Sequence, residues 1–216
     1  MQITIREPGS AITHYIGMLL SLFAAVPLLV KAESSRIPSA ITAMGIFILT
    51  MILLYAASTI YHSLNVKDSI LKLFRKLDHM MIFILIAGTY TPVCMLVLDH
   101  KSGMLLLSLI WGTAILGILL KLVWINCPKW LSSVIYIAMG WMCLLVFPIL
   151  MQKLPAPAFL WLLAGGILYT VGGVVYALKL KAFNAIHKYF GSHEIFHLFV
   201  MAGSFCHFIV MYCYVI

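Results

Sequence analysis

Long apolar runs alternate with short polar connectors along the whole chain. Seven runs can be separated, each of about the 20 residues that a helix needs to cross the hydrocarbon core of a membrane. They cover residues 11–30, 40–62, 78–98, 104–120, 133–151, 158–178 and 193–216. Since a chain in lipid must satisfy its own backbone hydrogen bonds, this pattern predicts an all-α, seven-transmembrane-helix bundle that forms a single domain, residues 1–216.

The composition agrees with this pattern. Of the 216 residues 64% are hydrophobic and only 9% are charged, which indicates a multi-pass protein of the plasma membrane. The basic residues are scattered over short connectors, so we expect no nucleic-acid partner. The five cysteines form no CxxC pair, and we interpret them as small buried residues rather than a disulfide framework.

The distribution of Lys and Arg predicts the orientation of the bundle. Ten of the fourteen lie in the N-terminal segment and in the connectors between spans two and three, four and five, and six and seven. The other side carries four. By the positive-inside rule, the N-terminus is expected in the cytoplasm and the C-terminus outside.

Four residues that can bind or serve a metal ion are expected at one membrane depth. His193 and His197 lie one helical turn apart, on one face at the start of the last span. Span two ends at His62 and span three starts at Asp78, on the same side of the membrane, with Ser58 one turn deeper than His62. Three histidines leave a fourth tetrahedral position open, as in catalytic zinc sites. The pattern therefore predicts a metal site at the cytoplasmic interface.

These motifs resemble a known family. The segments Ser58-x-x-x-His62, Leu77-Asp78, His193-x-x-x-His197 and Phe205-x-His207-Phe208 resemble the hemolysin III branch of the progestin and adipoQ receptor family. The opening Glu7 to Gly17, with Thr13-His14, is similar to its bacterial members. The resemblance implies one Zn²⁺ held by His62, His193 and His197, with Asp78 holding or activating water at the zinc and Ser58 beside it. The wider superfamily includes alkaline ceramidases, which implies amide hydrolysis on lipids.

A competing motif overlaps the last two histidines. The segment from His193 to His197 also matches HExxH, in which Glu194 would be the general base of a metalloprotease. Intramembrane proteases of this kind need a further protein ligand, commonly an acidic residue later in the chain. No Asp or Glu follows Glu194, so the third ligand would have to come from upstream, where His62 offers it.

The expected activity is metal-dependent hydrolysis of an amide or ester of a membrane lipid. Asp78 would be the general base, and Ser58 would hydrogen-bond Asp78 or the developing oxyanion. The alternative from another class is a non-catalytic, zinc-stabilised membrane sensor or receptor, in which Asp78 ligates the metal directly. An intramembrane metalloprotease and a cytolysin are further alternatives.

The charge distribution generates a prediction about topology. In a cysteine-free background, Ser69→Cys is expected to react in intact cells only with a membrane-permeant thiol reagent, because its connector should face the cytoplasm. Ser102→Cys, in the connector after span three, should react with an impermeant reagent. The opposite labelling pattern would show that the N-terminus lies outside, and would contradict the predicted orientation.

Overall fold

The computed structural model describes residues 5–178 and 190–216, and this part of the chain is helical without strands. The α-helices are α1 (Pro8–Ser34), α2 (Ala40–Ser63), α3 (Asp68–Pro92), α4 (His100–Val123), α5 (Lys129–Gly140), α6 (Phe147–Lys153), α7 (Ala156–Leu178) and α8 (Ser192–Val210). A π-helix, Val93–Val97, continues α3, a 3₁₀-helix, Trp141–Val146, joins α5 to α6, and a π-helix, Met211–Val215, follows α8. The described residues contain seven segments long and apolar enough to cross a membrane, which confirms the predicted all-α architecture.

The helix of the third span begins at Asp68, ahead of the apolar run that starts at Asp78. Its first turns are amphipathic, since Leu71, Phe74 and Leu77 recur every three residues and are half-buried. The basic side chains of these turns bind the end of α4: Lys76 Nζ donates to the carbonyl oxygen of Leu122 at 2.6 Å. Residues 68–77, which the hydrophobic pattern assigns to the connector between spans two and three, are therefore part of α3.

The helices pack mainly against their neighbours in sequence, and α8 makes a further contact with the first helix. The most extensive contacts are between α7 and α8, α1 and α2, and α2 and α3, while α8 also packs on α1 and thereby closes the bundle. One end of the bundle carries the starts of α1, α3, α5 and α8 and the ends of α2, α4 and α7. Of the 11 Lys and Arg residues that the structure describes, 7 lie at this end, which we call the basic end.

Helices α7 and α8 approach closely because glycines leave room for aromatic side chains. A Cβ atom added at Gly172 would lie 2.7 Å from Cβ of Phe199, and one at Gly203 would lie 2.7 Å from the ring of Tyr169. Small residues at such contacts let helix backbones come together in a membrane, where dispersion forces contribute much of the association energy. The hydroxyls of Tyr55 and Tyr169 add hydrogen bonds of 2.8 and 3.0 Å to Ser204 Oγ.

The contact at Gly172 generates a prediction. Gly172→Ala should destabilise the bundle by about 1–3 kcal/mol, because the new methyl group meets Cβ of Phe199, which cannot rotate away. Gly112→Ala is the matched control, since an added Cβ there meets nothing within 4 Å on α4. The measurement is the thermal unfolding midpoint of each variant in one detergent, and equal midpoints would contradict the packing of α7 on α8.

Candidate metal centre

Three histidines from two helices face one another at the basic end. His62 lies in the last turn of α2, and His193 and His197 lie in the first two turns of α8. The ring centroids are 4.9 Å apart for His62 and His193, 5.2 Å for His62 and His197, and 4.6 Å for His193 and His197. One nitrogen of each ring lies within 4.8 Å of the other two. The structure thus brings together the three residues expected to bind the metal ion.

The ring of His62 is held by a carboxylate. His62 is fully buried, and its Nδ1 is hydrogen-bonded to a carboxylate oxygen of Glu7. This hydrogen bond is the main reason why the pKa of the Glu7 carboxyl lies below its usual value, against the opposing effect of burial. Nε2 of His62 is buried and has no hydrogen-bond partner among the residues that the structure describes. A ring whose Nδ1–H donates to a carboxylate has its Nε2 lone pair free for a metal ion.

The ring of His197 is fixed in the same way by a hydroxyl. The Thr13 hydroxyl lies 3.1 Å from His197 Nδ1, and 3.0 and 2.9 Å from the carbonyl oxygens of Gly9 and Ser10. A hydroxyl has one proton, and donating it to a carbonyl leaves the Thr13 oxygen to accept from His197 Nδ1–H. The Nε2 atom of His197 then carries the lone pair, as it does in His62.

His14 packs directly on this arrangement. Its ring is stacked on that of His197, with centroids 3.5 Å apart and planes within 7°. Both nitrogens of His14 are buried and lack a hydrogen-bond partner among the described residues. We interpret His14 as the residue that sets the plane of the His197 ring, because it contacts that ring by stacking and not by a hydrogen bond.

Asp78 and Ser58 lie beside the histidines without joining their cluster. Both are buried, and both line the cavity that His193 and His197 also line. Among the described residues the Ser58 hydroxyl makes no hydrogen bond of normal length and angle, although it lies near enough to the Asp78 carboxyl to interact with it. A carboxylate oxygen of Asp78 lies 4.0 Å from Nε2 of His79. Asp78 is not among the side chains whose ligand atoms come within 4.8 Å of one another. This placement suits a residue that acts on a water molecule or a substrate.

Glu194, the acidic residue of the HExxH string, is engaged elsewhere. One of its carboxylate oxygens accepts a hydrogen bond from Ser10 Oγ on α1, and the other accepts from the backbone N–H of Gly191 at 2.8 Å. Glu194 therefore stabilises the start of α8 and ties it to α1. The Asp78 carboxylate lines the cavity, so it is better placed than Glu194 to act as a base.

An elongated apolar cavity opens from the histidines into the bundle. Its lining begins with His193, His197, Asp78 and Ser58 and continues between α3, α5, α7 and α8. It reaches Leu106 on α4 and Leu150 on α6, towards the other end of the bundle. Apart from a few hydroxyl-bearing residues and His207, the deeper wall consists of aliphatic and aromatic side chains. The shape and lining suit a long apolar ligand with its polar part at the histidines.

The sequence did not reveal the hydrogen bonds that orient the rings. Glu7 and Thr13 appeared only within the similarity of residues 7–17, without a role. The sequence did contain one signal. Glu7 is the only acidic residue before Glu33, and therefore the only carboxylate ahead of the first span. The sequence also offered no sign that Nε2 of His79 lies 4.0 Å from the Asp78 carboxylate. His187 lies outside the described residues.

Comparisons with known proteins place the chain in a family. Residues 2–208 match the Haemolysin-III related family. "Hemolysin-3" of Bacillus cereus is 38% identical over 215 residues, covering 100% of this chain and 94% of that protein. "Hemolysin-3 homolog" of Bacillus subtilis strain 168 is 37% identical over 215 residues, covering 97% and 96%.

A more distant relative is the "Adiponectin receptor protein" of Drosophila melanogaster. It is 25% identical over 231 residues, which cover 94% of this chain and 49% of that protein. No solved structure matches the chain. The family match and the matches to the two bacillus relatives extend over nearly the whole length of the chain. The chain therefore belongs to the haemolysin-III-related family of membrane proteins.

Proposed function

We propose that this protein binds one zinc ion through His62, His193 and His197 and hydrolyses an amide or ester bond of a membrane lipid. The observation that carries the proposal is that His193 and His197 line an apolar cavity together with Asp78 and Ser58. A metal-binding cluster, a carboxylate and a hydroxyl thus meet a space that suits an acyl chain.

The donor set fits zinc. Neutral imidazole nitrogens are typical zinc ligands, and catalytic sites use three protein ligands with one position left open. Nε2 of His62 is buried and has no partner within the described part of the chain, although its ring is hydrogen-bonded at Nδ1. A buried polar atom without a partner is costly, and a metal ion supplies the partner. The carboxylate–histidine pair of Glu7 and His62 is the arrangement commonly found behind metal-binding histidines.

The side chains then have distinct roles. When bound, zinc supplies a Lewis acid that polarises a carbonyl group and lowers the pKa of water to about 7. Asp78 accepts a proton from the attacking water and returns it to the leaving nitrogen or oxygen. Ser58, whose hydroxyl makes no hydrogen bond of normal geometry among the described residues, donates a hydrogen bond to Asp78 or to the oxyanion that develops on the substrate.

A second candidate function is a zinc-stabilised sensor or receptor without catalysis. Two observations favour it: a metal ion at the three histidines would link α2 to α8, and one relative is named an adiponectin receptor. In this alternative Asp78 moves in to complete a closed, four-ligand site, which is the usual form of structural zinc sites. The two functions differ in what Asp78 does, so Asp78 is the residue to change.

We expect zinc to co-purify with the protein and to depend on the three histidines. His62→Ala, His193→Ala and His197→Ala should each abolish tight binding, because two imidazoles rarely hold zinc. Glu7→Gln should weaken zinc binding by about 10–100-fold, since the carboxylate orients the His62 ring and makes it a stronger ligand. The measurements are elemental analysis of purified variants and competition with a zinc chelator.

Glu194→Gln is the matched control for Glu7→Gln. Like Glu7, Glu194 hydrogen-bonds to a different helix, but its two carboxylate oxygens accept from Ser10 and from the N–H of Gly191 and not from a histidine of the cluster. Zinc affinity should stay at the parent level in this variant. Full zinc content in His62→Ala would show that α2 contributes no ligand to the zinc ion. Loss of activity with zinc retained in Glu194→Gln would favour the protease alternative.

Asp78→Asn should separate the enzyme from the sensor. If Asp78 is the general base, the variant keeps its zinc and its stability but loses about 10²–10⁴-fold in hydrolysis rate, because Asn cannot accept the proton. Zinc content, thermal stability and hydrolysis of acyl-amide lipids are measured on one preparation. Loss of zinc and stability together, with no hydrolysis by the parent protein across these lipids, would establish the sensor instead.

A further inference from the structure

Lys121 is a fully buried lysine without a carboxylate partner. It lies in the last turn of α4, at the basic end, and none of its surface is exposed. The six Asp and Glu residues of the chain are all among the described residues, and none of them forms an ion pair with Lys121. A buried ammonium group without a counter-charge is strongly unfavourable. This position therefore calls for an anion.

The nearest side chains connect Lys121 to the cavity. Its Nζ donates to Ser132 Oγ at 2.5 Å and to Cys127 Sγ at 3.3 Å. Ser132 lies at the start of α5 and lines the cavity described above, on another helix than the histidines. Its oxygen accepts from the lysine, so its own proton is available to a further acceptor. The acceptors that the protein offers to the Ser132 proton are weak, because the thiol sulfur of Cys127 is a poor acceptor and the carbonyl oxygen of Pro128 is 3.4 Å away.

The next residue adds a second hydroxyl to the same wall. Ser133 also lines the cavity, is only 3% exposed, and its Oγ has no hydrogen-bond partner in residues 5–178 and 190–216. Ser132 and Ser133 thus present two O–H donors to the cavity with one buried positive charge behind them. Among the described lining residues, the only acid is Asp78, which the proposed reaction already uses. Hydroxyl donors backed by a cation form a site for an oxyanion.

We propose that the lipid bound in this cavity carries an anionic oxygen group, such as a phosphate or carboxylate, in its head group. Ser132 and Ser133 donate hydrogen bonds to this group, and Lys121 supplies the counter-charge through Ser132. The inference rests on the proposed function, which places the reacting carbonyl at the histidines and the acyl chain in the cavity. It narrows the substrate class from neutral lipid amides and esters to anionic ones. The apolar lining favours a lipid over a free anion.

The test compares two lipids that differ in charge and contain no amide or carboxylic ester. Monododecyl phosphate and 1-O-dodecylglycerol share one alkyl chain, and inorganic phosphate supplies the anion without a chain. Each is titrated against the purified full-length protein in a neutral maltoside detergent, and binding is read from the thermal unfolding midpoint. We expect monododecyl phosphate to bind the parent about tenfold or more tightly than the glycerol ether, and inorganic phosphate to bind far more weakly.

The variants assign that preference to named side chains. Ser133→Ala should reduce the affinity for monododecyl phosphate by about tenfold, the typical effect of one hydrogen bond to a charged group. Lys121→Met should reduce it by about tenfold as well, because it removes the counter-charge behind Ser132. Affinity for the glycerol ether should not change. Lys76→Met is the matched control, because it also removes one positive charge at the end of α4, where Lys76 Nζ binds Leu122 O outside the cavity.

Three results would overturn the proposal. The first is equal affinity of the parent for the two lipids, and the second is an equal loss in Lys76→Met and Ser133→Ala. The third is protection by inorganic phosphate at the concentrations at which monododecyl phosphate acts, which would make this a site for a free anion. If Lys121→Met does not fold, Ser133→Ala decides, because its hydroxyl makes no hydrogen bond within the described protein. Neither lipid can be hydrolysed by the proposed reaction, so absence of hydrolase activity would not affect this result.

Discussion

The hydrogen bonds between residues 6–7 and the end of α2 are the interaction on which the histidine cluster depends. The N–H of Glu7 donates to the carbonyl oxygen of His62 at 3.0 Å, and the Arg6 guanidinium donates to that of Tyr61 at 2.9 Å. A helix end leaves four carbonyls without intrahelical partners, which is costly near a membrane interior. The short segment before α1 satisfies two of them. The same segment then uses the Glu7 carboxylate to orient the imidazole of His62.

This arrangement places α1 where it can serve α8 as well. Starting directly after Glu7, α1 carries Ser10, Thr13 and His14 along the face that meets the beginning of α8. Ser10 binds Glu194, Thr13 binds the ring of His197, and His14 stacks on it. The histidines that face one another come from α2 and α8, but α1 determines how their rings are directed. Ring direction decides which nitrogen is left for a metal ion.

The cavity has two different polar walls at the basic end. One carries the histidines, Asp78 and Ser58, which suit the reaction of a carbonyl group. The other carries Ser132 and Ser133 with Lys121 behind them, which suit recognition of a charged head group. In this reading the HExxH string is a coincidence of spacing, because the Glu194 carboxylate is bound to Ser10 and to the N–H of Gly191.

The family itself was already identifiable from the motifs at Ser58–His62, Asp78 and His193–His197, and the comparisons confirm it. The sequence by itself also determined the seven candidate membrane spans among the described residues, because an apolar run of about 20 residues satisfies its own backbone in lipid as a helix. It determined that His62, His193 and His197 come together, since span ends of alternating direction share a membrane depth.

The tertiary structure alone decided how each helix is rotated about its axis and where the segments outside the apolar runs dock. In soluble proteins a polar face reveals rotation, but the helices of this bundle are apolar on nearly all sides, so their periodicity carries little information. The capping of α2 by Glu7, the contact of Thr13 with His197 and the burial of Lys121 all depend on rotation and docking. Lys121 shows this most clearly: by composition it is one more basic residue at a helix end, and only packing against α5 makes it a buried charge beside a cavity.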